Sequence, residues 1–173
     1  MRLTSFLIAV FAPLADAQLP AAAPCSAPEH RQFDFWIGEW EVTLATGQRA
    51  GTNRIERILG GCALQESWTG ASPSRGQSLN AWDPGDHKWH QTWVDNAGTT
   101  LHLSGGIVNG EMVMEGQRRL PDGTEVTDRI TWTPNADGSV RQVWLSSRDR
   151  GMRWTTVFDG TYKRVRGTGD GVP

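Results

Sequence analysis

Gln32-Phe33-Asp34-Phe35-Trp36-Ile37-Gly38-Glu39-Trp40-Glu41-Val42 decides how the rest of the chain reads. It carries four aromatic residues, the last of them in a Gly38-Glu39-Trp40 step into strict alternation. Trp40, Val42 and Leu44 are apolar, while Glu41 and Thr43 are polar. That period marks a strand buried on one face. Just upstream, Ser26-Ala27-Pro28-Glu29 has the S-x-x-E spacing of a capping box, with Pro28 in the first turn. The pattern predicts a short helix from about Ala27 to Trp36, released by Gly38 into the Trp40 strand.

Working outward, turn signals recur every ~8–12 residues, the mark of an all-β sandwich or barrel. Asp83-Pro84-Gly85-Asp86, Asn96-Ala97-Gly98, Asn109-Gly110 and Pro121-Asp122-Gly123 are the clearest. Together with the Trp40 strand they divide the chain into about ten strands. No long helical pattern intervenes, so successive strands are expected to be antiparallel neighbours. The expected fold is an all-β, up-and-down antiparallel barrel with a short N-terminal capping helix.

The ends read differently. Arg2, the apolar run Leu3 to Leu14 and Ala15-Asp16-Ala17 before Gln18 form a signal-peptide pattern over residues 1–17. The apolar run is too short to span a bilayer. Residues 18–24 are an Ala/Pro-rich tether, 25–166 the barrel, and 167–173 a Gly-rich tail. Export to the periplasm or beyond is therefore expected. The formal charge is −2, and removal of Arg2 and Asp16 leaves it unchanged. No basic face stands out, which argues against a nucleic-acid partner. Cys25 and Cys62 both survive cleavage, and in an oxidising compartment they are a disulfide candidate tying the capping helix to an early strand.

Alternation from Trp40 assigns inward faces to most later strands. Leu64, Glu66 and Trp68 share one parity, as do Trp89, Gln91 and Trp93. Leu101 with Leu103, Met112 with Met114, Ile130 with Trp132, and Trp154 with Phe158 follow the same rule. Parity stays open near Thr52, Arg75 and Ser139. Nine tryptophans in one small domain have two accounts: core filling, or the wall of a ligand cavity.

Polar residues on those faces sharpen the choice. Glu66 stands between Leu64 and Trp68, Gln91 between Trp89 and Trp93, and Asp128 in step with Ile130 and Trp132. A carboxylate in such company needs a partner. Glu66 is either a ligand anchor or half of an internal ion pair with Arg57 or Arg129. The candidate ligand-binding set is Glu66, Trp68, Gln91, Trp93, Arg129 and Trp132. Glu66, alone or with Asp128, is the candidate acid or base if the barrel is an enzyme. The histidines, His30, His87, His90 and His102, form no metal-ligand spacing, so no metal site is expected. No G-x-S-x-G or phosphate loop occurs.

A helix feeding a strand through Gly-x-Trp resembles the calycin superfamily, which includes lipocalins, fatty-acid-binding proteins and nitrobindins. Phe33-Asp34-Phe35-Trp36-Ile37-Gly38-Glu39-Trp40 is joined by three further stretches. These are Gly61-Cys62-Ala63-Leu64-Gln65-Glu66, Trp89-His90-Gln91-Thr92-Trp93-Val94-Asp95 and Arg129-Ile130-Thr131-Trp132. Together they are similar to an uncharacterised family of secreted bacterial proteins classed among the domains of unknown function. The resemblance runs from about Cys25 to Arg164. It implies a calycin-like barrel in which Trp40 packs at the base under a basic side chain of the last strand. Arg164 fits by position and Lys163 is the alternative. It supplies no reaction. A haem is a minor alternative carried by nitrobindin likeness. The late-strand histidine has no counterpart here, and His90 or His102 would serve only if inward-facing. The expected function is binding of a small aromatic or apolar molecule without a cofactor, by a monomer or weak dimer. A cofactor-free isomerase, cyclase or hydrolase using Glu66, or a filled structural barrel, are the alternatives.

Overall fold

The alternation at Trp40 forms β1 (Gly38–Leu44), with Trp40 and Val42 buried and Glu39 and Glu41 exposed. Nine more strands follow: β2 (Arg49–Ile58), β3 (Ala63–Gly70), β4 (Arg75–Asp83), β5 (Lys88–Asp95), β6 (Thr100–Val108), β7 (Glu111–Arg119), β8 (Glu125–Pro134), β9 (Val140–Ser147) and β10 (Thr155–Arg164). Each pairs antiparallel with its sequence neighbours, and β1 pairs with β10 to close the barrel. This is a computed structural model describing residues 23–165. The signal-peptide pattern over 1–17, most of the tether and the 167–173 tail lie outside the described residues. No described helix is long and apolar enough to cross a membrane.

Asn109-Gly110 makes the two-residue hairpin its sequence predicts. Both residues have positive φ, 52° and 86°, which lets the turn follow the twist of β6 and β7. Strand alternation then sorts the chain into an apolar inside and a polar outside. The barrel has two different ends. The base carries the N-terminal segment and the β2–β3, β4–β5, β6–β7 and β8–β9 connections. The opposite end carries the β1–β2, β3–β4 and β5–β6 connections.

The base is plugged by aromatic rings. Two 3-10 turns, Pro28–Arg31 and Asp34–Trp36, replace the single helix expected over Ala27 to Trp36. The capping box does not form: Ala27 is the N-cap and no side chain caps the turn. A three-residue repeat brings i and i+3 onto one side. Phe33 and Trp36 accordingly point together into the barrel, stacked at 4.8 Å between centroids. Trp89 and Trp132 meet Phe33 edge-on at 5.7 and 5.2 Å. All four rings are buried.

The plug is tied down twice. Cys25 and Cys62 form the expected disulfide, with Cα atoms 5.1 Å apart. Arg31 Nη2 donates to the carbonyls of Cys25 and Gly61 at 2.7 and 2.8 Å, so one guanidinium braces both ends of the bridge. At the seam, the Arg164 guanidinium lies 4.4 Å over the Trp40 ring and donates to the Ile37 carbonyl at 2.9 Å. Trp40 Nε1 donates to the Trp36 carbonyl at 2.9 Å. Arg164, not Lys163, holds this position; Lys163 points outward and is exposed. Gly38 has φ +144°, and a Cβ there would overlap Arg164 Nη1. The Gly-x-Trp step thus has a physical reason: glycine leaves the space through which the cation reaches the tryptophan face.

Candidate functional site

Above the plug the barrel is not filled. A cavity of about 450 Å³ opens at the end away from the N-terminal turns. Trp68, Trp93, Trp144 and Phe158 wall it, and Glu66, Gln91, Gln142 and Tyr162 supply its polar surface. Two tryptophans owe their position to glycines. A Cβ on Gly51 would overlap the Trp68 ring, and one on Gly76 would overlap Trp93. Gly76 sits directly across from Trp68 and one strand from Trp93, so the bulk of each ring is matched by a missing side chain.

The parities left open by the sequence are settled by polar residues. Inward positions of β2 are Gly51, Asn53 and Ile55, and those of β4 are Gly76, Ser78 and Asn80. On β9 the inward set includes Val140, Gln142 and Trp144. These side chains build a hydrogen-bonded belt around Glu66. Asn53 Nδ2 donates to Glu66 Oε1 at 2.7 Å, and Ser78 Oγ donates to Oε2 at 2.6 Å. Asn80 Nδ2 donates to Ser78 Oγ at 2.9 Å, and Gln91 Nε2 to Asn80 Oδ1 at 2.7 Å. On the other side the Tyr162 hydroxyl donates to Gln142 Oε1. Asn53, Ser78, Asn80, Gln142 and Tyr162 were not identified from sequence as site residues. For Tyr162 a signal existed, because it lies two residues before Arg164 on the same face.

Glu66 is 4% exposed, and burial pushes its pKa up to about 6 despite its two hydrogen bonds. Burial, reinforced by the nearby Glu66 charge, holds Tyr162 well above its ordinary value, so it remains a neutral donor. Among the described residues no arginine pairs with Glu66, contrary to one of the two expectations. Arg57 bonds Asp34 outside the barrel. Arg129 also faces outward, as alternation with the buried Asp128 and Ile130 requires; its guanidinium pairs with Glu115 and lies 4.4 Å over Trp154. Arg129 is therefore removed from the ligand-binding set.

Three further expectations are corrected. Trp132 is buried in the basal plug and does not line the cavity. Trp154 lies outside β10 on the outer wall, because a register shift between Thr156 and Phe158 breaks the alternation that would have linked it to Phe158. Asp128 is no catalytic partner for Glu66: Arg118 Nε and Trp144 Nε1 occupy its two oxygens at 2.6 and 2.8 Å. Glu66, Trp68, Gln91 and Trp93 do come together around one space.

No histidine lines that space. His90 bonds Asp86, and His102 bonds the Thr92 hydroxyl, both on the exposed wall. Neither is placed to meet a haem iron inside the barrel. The β4–β5 turn does gather Asp83, Asp86 and His90, with ligand atoms within 4.8 Å of one another, a grouping that residue spacing did not reveal. No protein-family model matches the chain, and no curated protein matches it.

Proposed function

We propose that the chain is an exported, calycin-like barrel that binds a small molecule with an aromatic or apolar body. The observation that carries this reading is the 450 Å³ cavity, walled by Trp68 and Trp93 and floored by Glu66 and Gln91. That volume lies within the range of small-molecule sites, and the mix of apolar walls with few convergent polar groups is their usual chemistry. Export is supported by the N-terminal pattern over residues 1–17 and by the Cys25–Cys62 bridge. Calycin likeness rests on the Gly38-Glu39-Trp40 step, its clamp by Arg164 and the meander closure.

The test is native mass spectrometry of protein isolated from the periplasm, followed by titration of intrinsic tryptophan fluorescence with whatever dissociates. A noncovalent adduct is expected, and Trp93→Ala should weaken it more than tenfold. Failure to find an adduct, together with no melting shift from a diverse aromatic compound set, overturns the binding reading.

A second reading is favoured by one observation. A buried carboxyl with pKa about 6, oriented by Ser78 and Asn53, is poised for proton transfer near neutral pH. An isomerase, cyclase or hydrolase would then use Glu66 as its acid or base. Turnover of the bound compound, abolished in Glu66→Gln with binding retained, would select this reading.

A further inference from the structure

We infer that the cavity selects an organic cation, a protonated amine on an aromatic or apolar body, with Glu66 as its counter-ion. This rests on the binding reading above and names the class of ligand. Three independent features converge on it.

The first is charge. Among the described residues two acidic side chains are buried inside the barrel, Glu66 and Asp128. Asp128 has a resident cation, with Arg118 Nε at 2.6 Å. Among the described residues Glu66 has none; its two partners, Asn53 and Ser78, are neutral. A buried carboxylate without a cation is costly, and a cationic ligand removes that cost.

The second is the donor and acceptor inventory. The donors next to Glu66 are used internally. Asn53 Nδ2 is directed at Glu66 and Tyr162, Ser78 Oγ at Glu66, and Tyr162 Oη at Gln142. Acceptors are left over. Each Glu66 oxygen takes one donor where it has room for two. Around Glu66 the floor therefore offers acceptors, and a guest that meets it there brings N–H groups.

The third is the wall. Trp68, Trp93, Trp144 and Phe158 surround the same space, and aromatic faces attract cations most strongly where water is excluded. The remaining charged or titratable groups lining the cavity are Arg49, Asp95 and Tyr162. Tyr162 stays neutral, and Asp95 is engaged with the amides of Ala97 and Thr99 at 2.9 Å. Arg49 belongs to the first residue of β2, at the open end, away from the floor. From the elements facing Glu66, β2 presents Asn53, β4 presents Ser78, β9 presents Gln142 and β10 presents Tyr162; the tyrosine alone of these titrates, and it stays neutral.

The experiment is calorimetric titration at pH 7.5 with three isosteric probes: tryptamine, tryptophol and indole-3-acetate. Tryptamine is expected to bind at least tenfold tighter than tryptophol, and indole-3-acetate not at all. Glu66→Gln should lower tryptamine affinity at least tenfold and tryptophol affinity less than threefold. Should that variant fold poorly, the wild-type protein gives a second readout. At pH 6, tryptamine binding should release protons, seen as a dependence of the heat on buffer ionisation enthalpy, and affinity should fall about tenfold per unit below pH 6. Equal affinity for tryptophol, preference for the acetate, or no proton release overturns the cation inference and leaves the binding reading standing. Absence of binding by all three probes, with no adduct in the native protein, overturns both.

Discussion

Gly38→Ala tests the seam of the barrel directly. The substitution adds one methyl group at a residue whose φ is +144°, so a side chain there carries a backbone cost of about 1–3 kcal/mol. The methyl also occupies the place of Arg164 Nη1. Displacing that guanidinium removes its contact with the Trp40 ring and its hydrogen bond to Ile37, together about 1–2 kcal/mol for a partly exposed cation. The single change should therefore destabilise by about 2–5 kcal/mol. Arg164→Ala should cost about 1–2 kcal/mol, because the same ring contact and hydrogen bond are lost. In the double variant the clash disappears, and the backbone cost of alanine adds to the loss of the Arg164 contacts counted once instead of twice. The double-mutant cycle should then show coupling of about 1–2 kcal/mol, with the pair less destabilised than the sum. Urea unfolding followed by tryptophan fluorescence supplies the four stabilities. Coupling below about 0.5 kcal/mol would mean that Gly38 serves the backbone alone and that the clamp does not depend on it.

Cys25 and Cys62 should resist alkylation in folded protein until a reductant is added, and Cys25→Ser with Cys62→Ser should cost about 4 kcal/mol for so long a closed loop. Rapid labelling without reductant would refute the bridge. The rise of Glu66 from 4.5 to about 6 corresponds to about 2 kcal/mol. Because the folded value is the higher one, this contribution is fully present below pH 4.5 and is lost as pH rises through 6. Thermal melts between those limits should show higher stability on the acidic side, and Glu66→Gln should flatten the profile. Asp149, held at about 2 by Arg153 and Ser147, acts in the opposite sense only at lower pH, so the two effects separate. Trp132→Ala should destabilise by about 3–5 kcal/mol. Arg129→Ala should cost below about 1 kcal/mol and leave tryptamine binding unchanged; a lost binding signal there would return Arg129 to the site.

Strand count, closure and most inward faces were legible because turn residues and alternation are local properties. Trp89, Gln91 and Trp93 could be assigned to one face from their spacing alone. β2 and β4 were not legible for the opposite reason. Their inward positions include Asn53, Ser78 and Asn80, which read as solvent-facing until Glu66 is found between them. Depth along the barrel was hidden as well. Trp93 and Trp132 look alike in sequence, yet one walls the cavity and the other packs on Phe33, because the N-terminal turns set how far the plug reaches. Pairing needed register. Arg129 stands across from Glu115, whereas Asp128 stands across from Gly116 and finds Arg118 two residues further along the same strand.

The meander has one consequence for how the chain assembles. Nine of its strand pairings join neighbours in sequence and can zip as hairpins. The tenth, β1 with β10, joins residues as far apart as Ile37 and Arg164, which are 127 positions apart. The entropy of closing that circuit falls on a single step, so circularisation is expected to come last, after the hairpins have formed. Contacts made only at that step are absent from the folding transition state. Weakening Gly38, Trp40 or Arg164 should therefore hasten unfolding while leaving the refolding rate almost unchanged. The residues that make the base recognisable are in this sense a latch: they set how long the ring stays shut more than how quickly it forms.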